Sequence, residues 1–208
     1  MVQYFIDGGA FMWPILVSLV FGLGFAIERA YSLIVSSIDS QKFFTDISDT
    51  INESGVKAAI KVCNDTKGPV AEIFHAGLSR VHRGLAEVEK AIQNAGSLEM
   101  AFLEKNMIWL NTVITVAPMI GFTGTVVGMI DAFDAIKAAN DISPAVVAGG
   151  ISKALLTTAF GLITAMIIQI FQNFFVSRID KLIFDMEENS MKLVDQLYEV
   201  DSPKKGKK

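Results

Sequence analysis

The sequence predicts an all-α membrane protein with three transmembrane helices and long helical extensions on the cytoplasmic side. Two uncharged stretches, Asn106 to Ile130 and Ala154 to Ser177, each exceed the roughly 20 residues an α-helix needs to cross a bilayer's apolar core. A third run, Ala10 to Ile27, holds eighteen residues without a charge and stops at Glu28-Arg29. The composition agrees: 51% of the 208 residues are hydrophobic, 19% are charged, and the mean hydropathy is +0.44. Such values favour a multi-pass membrane protein over a soluble domain.

Taken in order, residues 1–31 form an outer segment and the first span. Met1 to Gly9 is short and polar enough to lie at an interface. The flank before the apolar run carries Asp7 and no Lys or Arg, and no small-x-small site follows it, so a cleavable signal peptide is not expected. Trp13 stands near one interface and Tyr31 near the other, and Pro14 falls in the first turn, where its missing N–H costs little.

Residues 32–105 read as a cytoplasmic helical domain. Thr45 to Lys61 looks helical with a break at Asn52–Gly55, and Lys67-Gly68-Pro69 marks a turn. Val70 to Val81 is a short helical pattern. Leu85 to Met107 is a longer one, with Val88, Ile92, Ala95, Leu98 and Phe102 on one face. No breaker separates it from the second span, 106–136, so one continuous helix is expected there.

A short periplasmic loop, 137–143, leads to the third span, 144–177. Ser143 before Pro144 is a cap followed by a first-turn proline. Residues 178–201 continue as an amphipathic rod, with Ile179, Met186, Leu193 and Val200 every seven residues. Residues 202–208, SPKKGKK, form a disordered basic tail. The segment from Lys42 to Lys105 holds eight Lys or Arg and Arg178 to Lys208 holds seven, against none before Arg29 and Lys137 alone in the loop. Positive residues favour the cytoplasmic side, so the N-terminus is expected outside and the C-terminus inside.

The second and third spans are not plain lipid-facing sequence. Pro118, Gly121, Thr125, Gly128 and Ala132 recur at steps of three and four, with Gly124 and Gly128 as a GxxxG pair. Gly150, Ala154, Thr157, Gly161 and Ala165 repeat the pattern, with Thr158 and Thr164 beside them. Small residues on one stripe let helix backbones approach closely in a membrane, and the hydroxyls suit either a narrow pore or hydrogen bonds to a neighbouring helix.

Candidates for catalysis are poor, and a non-enzyme without cofactor or metal is expected. No phosphate loop, His-x-x-His or Cys-x-x-Cys occurs. His75 and His82 lie seven apart with no thiolate or acidic cluster spaced with them. Cys63 is the single cysteine, so no internal disulfide forms. A net charge of −4 without a basic, aromatic-interleaved patch argues against nucleic acid.

Ionisable groups inside spans are costly and usually functional. Glu28 and Arg29 read as an interfacial pair. Asp131 and Asp134 near the end of the second span fit a cation-attracting pore mouth or a solvated helix end. Lys153 is the one charge flanked by apolar sequence, and it either snorkels outward or pairs with a carboxylate. No Asp or Glu lies near the middle of any span. If ions cross, the titrating carboxylate must come from another chain.

The run from Ala117 to Ile130, APMIGFTGTVVGMI, resembles the signature of the MotA/TolQ/ExbB proton-channel family. So does Gly150 to Leu162, GISKALLTTAFGL, and so does the opening Gly9 to Arg29 with its Trp13-Pro14 and Glu28-Arg29. Three spans and about two hundred residues fit the ExbB/TolQ branch. The resemblance implies a ring: a homopentamer in the bacterial inner membrane around an ExbD- or TolR-like dimer of single-span proteins that supplies the membrane Asp. A TonB- or TolA-like energy transducer is a further candidate partner, and proton-motive force would drive work on periplasmic or outer-membrane clients.

The family's pore threonines map onto Thr125 and Thr158, and Thr157 and Lys153 join them as candidates for the ion pathway. Pro118, Gly121, Gly124, Gly128, Gly150, Ala154 and Gly161 are the expected packing residues around the pore. Lys153 departs from the family, which commonly has Glu there, and is expected to face the pore or its outer mouth. The alternatives are a divergent motility stator and a static scaffold whose threonines only join helices.

Overall fold

A computed structural model describes residues 2–139 and 144–201, and every element assigned among them is helical. Three stretches, within Met12–Ser54, Leu85–Lys137 and Val147–Glu199, hold helices long and apolar enough to cross a membrane. The Ser143 cap, most of the expected 137–143 loop and the 202–208 tail lie outside the described residues. The chain divides into two compact units, Met1–Arg29 with Asn106–Phe174, and Ala30–Lys105 with Phe175–Lys208.

The first unit holds α1 (Val2–Asp7), the start of α2 (Met12–Ser36), α7 (Met107–Ala139) and the first part of α8 (Pro144–Asp201). The opening segment, expected only to lie at an interface, is itself helical. α2 and α7 meet through an aromatic cluster: the ring centroids of Phe21 and Phe25 lie 6.0 and 5.9 Å from that of Trp109. Gly22 marks the three-way contact of α2, α7 and α8, since a Cβ there would stand 2.8 Å from Ile168 and 3.3 Å from Val113. Packing through small residues replaces the hydrophobic drive that lipid cannot supply.

Glu28 and Arg29, about two turns before the end of α2, form an ion pair in this unit. Arg29 is 1% exposed and donates from Nε and a terminal nitrogen to the Glu28 carboxylate at 2.9 and 2.8 Å. Glu28 also accepts from Nδ2 of Asn106 at 3.2 Å. A buried guanidinium is tolerated only when a carboxylate and further hydrogen bonds offset its desolvation.

The second unit contains α3 (Ser40–Ser54), α4 (Val56–Asp65), α5 (Pro69–Leu78), a 3₁₀ turn (Val81–Arg83), α6 (Leu85–Leu103) and the last part of α8. Asp39 caps α3 by accepting from the Lys42 N–H at 3.1 Å. Gly55 ends it at φ +82°, a left-handed conformation in which a side chain would be strained. Pro69 opens α5 at a position where its missing donor is harmless.

The core of this unit is centred on Phe74, which is fully buried, with Phe43 at 5.6 Å and Phe44 at 6.3 Å. Ile47, Ile51, Val88 and Ile92 surround the same interior, and Ile179, Met186 and Leu193 of α8 are buried in the sevenfold stripe; the Val200 side chain lies outside the described residues. Two hydrogen bonds fix α8 within the unit. Gln196 Nε2 donates to Ser48 Oγ at 2.8 Å, and the Tyr198 hydroxyl donates to Glu89 at 3.1 Å.

Two expectations fail here. α6 does not continue straight into α7: Leu103 ends one, Met107 starts the other, and Asn106 between them has φ +66°. Asn is the residue that most readily replaces Gly in that conformation, because its short amide bonds locally, and here the amide is held by Glu28. The five residues expected on one face of α6 also do not share one environment, with Val88 and Ile92 buried but Leu98 72% and Phe102 50% exposed. The buried face of α6 runs through Val88, Ala91, Ile92 and Leu103 instead, and at about 100° per residue Leu98 lies well off its centre.

Candidate functional site

α7 and α8 run against each other through their small residues. Gly161 lies so near α7 that a Cβ would stand 2.6 Å from the Ala117 carbonyl oxygen and 3.2 Å from the Gly121 Cα. A Cβ at Gly121 would meet the Thr157 carbonyl oxygen at 2.8 Å. Two turns on, a Cβ at Gly128 would stand 3.1 Å from the Ala154 Cβ, and one at Gly150 would stand 2.5 Å from the Ala132 Cβ. The contacts advance along α7 as they retreat along α8, so the two helices are antiparallel.

Two residues at these contacts, Ala117 and Phe11, are not in the periodic stripes. Ala117, not singled out beforehand, carries the carbonyl against Gly161, and Pro118, next along, is half-buried. A Cβ at Gly124 would stand 2.6 Å from Thr157 Oγ1 and 3.1 Å from the Phe11 Cβ, which joins the residue just before α2 to the same site. The GxxxG spacing that singled out Gly124 gave no sign of Phe11, because periodicity describes one helix and not its neighbours.

Between Gly121 of α7 and Ala154 of α8, three hydroxyls gather. Thr125 on α7 is hydrogen-bonded to Thr158 on α8. Thr125 Oγ1 also lies 2.9 Å from the Ala154 carbonyl oxygen, and Thr158 Oγ1 lies 3.1 Å from that of Gly121. Thr157 Oγ1 is within 2.7 Å of the Ala154 carbonyl and 3.2 Å of the Gly121 carbonyl. Thr157 is 2% exposed, whereas Thr125 and Thr158 are half-buried.

Each hydroxyl carries one proton and has two or more acceptors in reach. The protons can therefore be distributed in more than one way over the same oxygen positions. The structure thus brings Thr125, Thr157 and Thr158 into one cluster with Gly121 and Ala154.

Lys153 stands one turn before the cluster on α8 and is exposed, its stem lying against Gly9: a Cβ on Gly9 would be 2.3 Å from Lys153 Cε and 3.0 Å from Nζ. Its side chain is directed to the segment that precedes α2, while Ala154 beside it meets Gly128. Asp131 and Asp134 are exposed near the end of α7. Thr164 is buried on α8. No cluster of three or more metal-ligating side chains occurs among the described residues.

The profile of the MotA/TolQ/ExbB proton channel family matches residues 65–188. The ExbB homolog of Methanothermobacter thermautotrophicus is 29% identical over 187 residues, which cover 89% of this chain and 66% of that protein. The ExbB-like 3 protein of Synechocystis is 27% identical over 172 residues, 82% of each chain. The Tol-Pal system protein TolQ of Pseudomonas aeruginosa is 32% identical over 130 residues, 57% of this chain and 56% of TolQ. The chain therefore spans just under two thirds of the archaeal relative and little over half of TolQ. With three helices fit to cross a membrane and a family match over more than half its length, this chain belongs to the MotA/TolQ/ExbB proton channel family.

Proposed function

We propose that this chain is the pore-wall subunit of an ExbB/TolQ-like motor of the bacterial inner membrane, driven by proton-motive force. In this reading five copies form a ring around two ExbD/TolR-like single-span proteins, and ion flow through the complex does mechanical work on periplasmic or outer-membrane clients. A TonB- or TolA-like transducer receives that work.

One observation carries the reading: Thr125, Thr157 and Thr158 make a hydroxyl cluster between two apolar helices that hold no carboxylate in their middle. Threonines near neutral pH relay a proton but cannot store one. A wall of this chemistry needs a titrating acid from another molecule, and a membrane Asp on the central partner supplies it. Lys153, on Gly9 at the outer end of this site, is the positive charge that such a partner's carboxylates meet. Replacing it with Met is expected to impair energised work, and full activity in that variant counts against this role.

The same geometry favours a second reading. The three hydroxyls all reach main-chain carbonyls, as they would if their work were only to join α7 to α8. Thr125→Val combined with Thr158→Val separates the two. Loss of proton flux in an assembled, folded complex supports the motor, and flux at the parental rate supports a static scaffold.

A further inference from the structure

Outside the apolar helices, the second unit carries a groove of about 640 Å³ between α6 and the last part of α8. Its lining includes Met100, Met186 and Met191, three of the nine methionines in the chain. Glu89, Glu187 and Asp195 are its charged lining residues, and no Lys or Arg lines it. Met186 is buried and Met191 is 63% exposed. Glu89 already accepts from the Tyr198 hydroxyl.

We propose that this groove docks an amphipathic helix of a partner protein, with apolar residues on its inner face and Lys or Arg along its flanks. The lining calls for apolar anchors, and unbranched methionine side chains adapt to anchors of differing shape. Helices bind apolar grooves through residues at i, i+3, i+4 and i+7. Lining charges that are all acidic select positive flanks and repel negative ones. A lysine-only strand does not meet this description, because it would leave the methionine lining uncovered. That consideration places the chain's own SPKKGKK segment second to a partner helix.

The inference does not depend on ion conduction and is tested apart from it. The probe is a fluorescent amphipathic peptide of leucine and lysine, about four turns long, titrated onto the full chain in zwitterionic nanodiscs with empty nanodiscs as the blank. The same peptide with glutamate for every lysine is the control. Saturable binding of the lysine peptide is expected, with at least about tenfold weaker binding of the glutamate peptide. Glu187→Gln with Asp195→Asn weakens the lysine peptide about tenfold, a shift of about 1.4 kcal/mol, and Met191→Asp abolishes its binding.

Asp46→Lys with Asp49→Lys, at exposed positions of α3 that do not line the groove, leaves it unchanged. Equal binding of the two peptides, or binding indifferent to the groove substitutions, overturns the proposal. So does a tenfold gain on removing 202–208, which would show the chain's own tail in the groove. Dissociation of the assembly by the peptide would show a second copy there instead.

Discussion

The Thr125 hydroxyl on α7 and the Thr158 hydroxyl on α8 are hydrogen-bonded to each other, and each also reaches a carbonyl oxygen of the facing helix. This places a polar spot inside the most closely packed part of the apolar unit. Because a hydroxyl has one proton and two lone pairs, the pair can hand a proton in either direction.

Thr125→Val and Thr158→Val keep the shape and remove the hydroxyls. Each is expected to cost about 1 kcal/mol of stability, the net worth of an ordinary hydrogen bond, and to lower partner-dependent proton flux by an order of magnitude or more. Thr123→Val is the control. Thr123 is exposed and bonds only its own helix, at the Met119 carbonyl, 2.8 Å away, so flux and stability should match the parent protein.

Gly161 fixes how closely the helices approach. Gly161→Ala puts a methyl 2.6 Å from the Ala117 carbonyl oxygen, and main chain cannot swing aside as a side-chain tip can. Overpacking of this kind costs about 1–3 kcal/mol. Gly149→Ala meets nothing within 4 Å and is expected to be neutral or slightly stabilising, since alanine prefers a helix. Unfolding from mixed micelles, followed by far-ultraviolet circular dichroism, ranks the two; equal midpoints would mean that α7 and α8 are not held at this distance.

Asn106 joins the end of one helix to the start of the next at φ +66° and donates to Glu28. Asn106→Val is expected to destabilise by about 1–2 kcal/mol through the left-handed conformation alone. Asn106→Gly relieves the backbone but loses the Glu28 contact, so its effect is smaller. Should valine prove as stable as glycine, a continuous α6–α7 helix would be the better description.

Cys63 lies buried in α4, and burial pushes its thiol up from an ordinary 9.0 to about 12. The folded protein therefore keeps the neutral thiol while the unfolded chain ionises. Stability is unaffected below pH 9 and falls as pH rises from about 9 toward 12, the window between the two values. Cys63→Ala should remove that slope. Iodoacetamide at pH 8 should label Cys63 only after unfolding, because the thiolate is the reactive form; rapid labelling of the native protein would show the site to be open.

The three apolar helices and the facing stripes were legible from the residues alone. Charge-free length and steps of three and four are direct consequences of the bilayer's thickness and the helix's pitch. The turn at Gly68-Pro69 and the break at Gly55 were legible for the same kind of reason, since both residues restrict the backbone locally. The break at Asn106 was not, because asparagine is also tolerated inside a helix and the Glu28 contact that holds it here comes from 78 residues away. Nor was the direction of Lys153. Its contact with Gly9 joins residues far apart in the chain, and nothing in the periodicity of α8 points to it.

The central claim is that this chain forms the wall and another molecule brings the acid. Proton flux into proteoliposomes, read with a trapped pH dye under an imposed membrane potential, tests it most directly. The purified chain alone should pass no more protons than empty liposomes, and flux should appear when a single-span partner with a membrane Asp is reconstituted with it and vanish when that Asp is Asn. Sustained flux through the chain by itself would contradict the account.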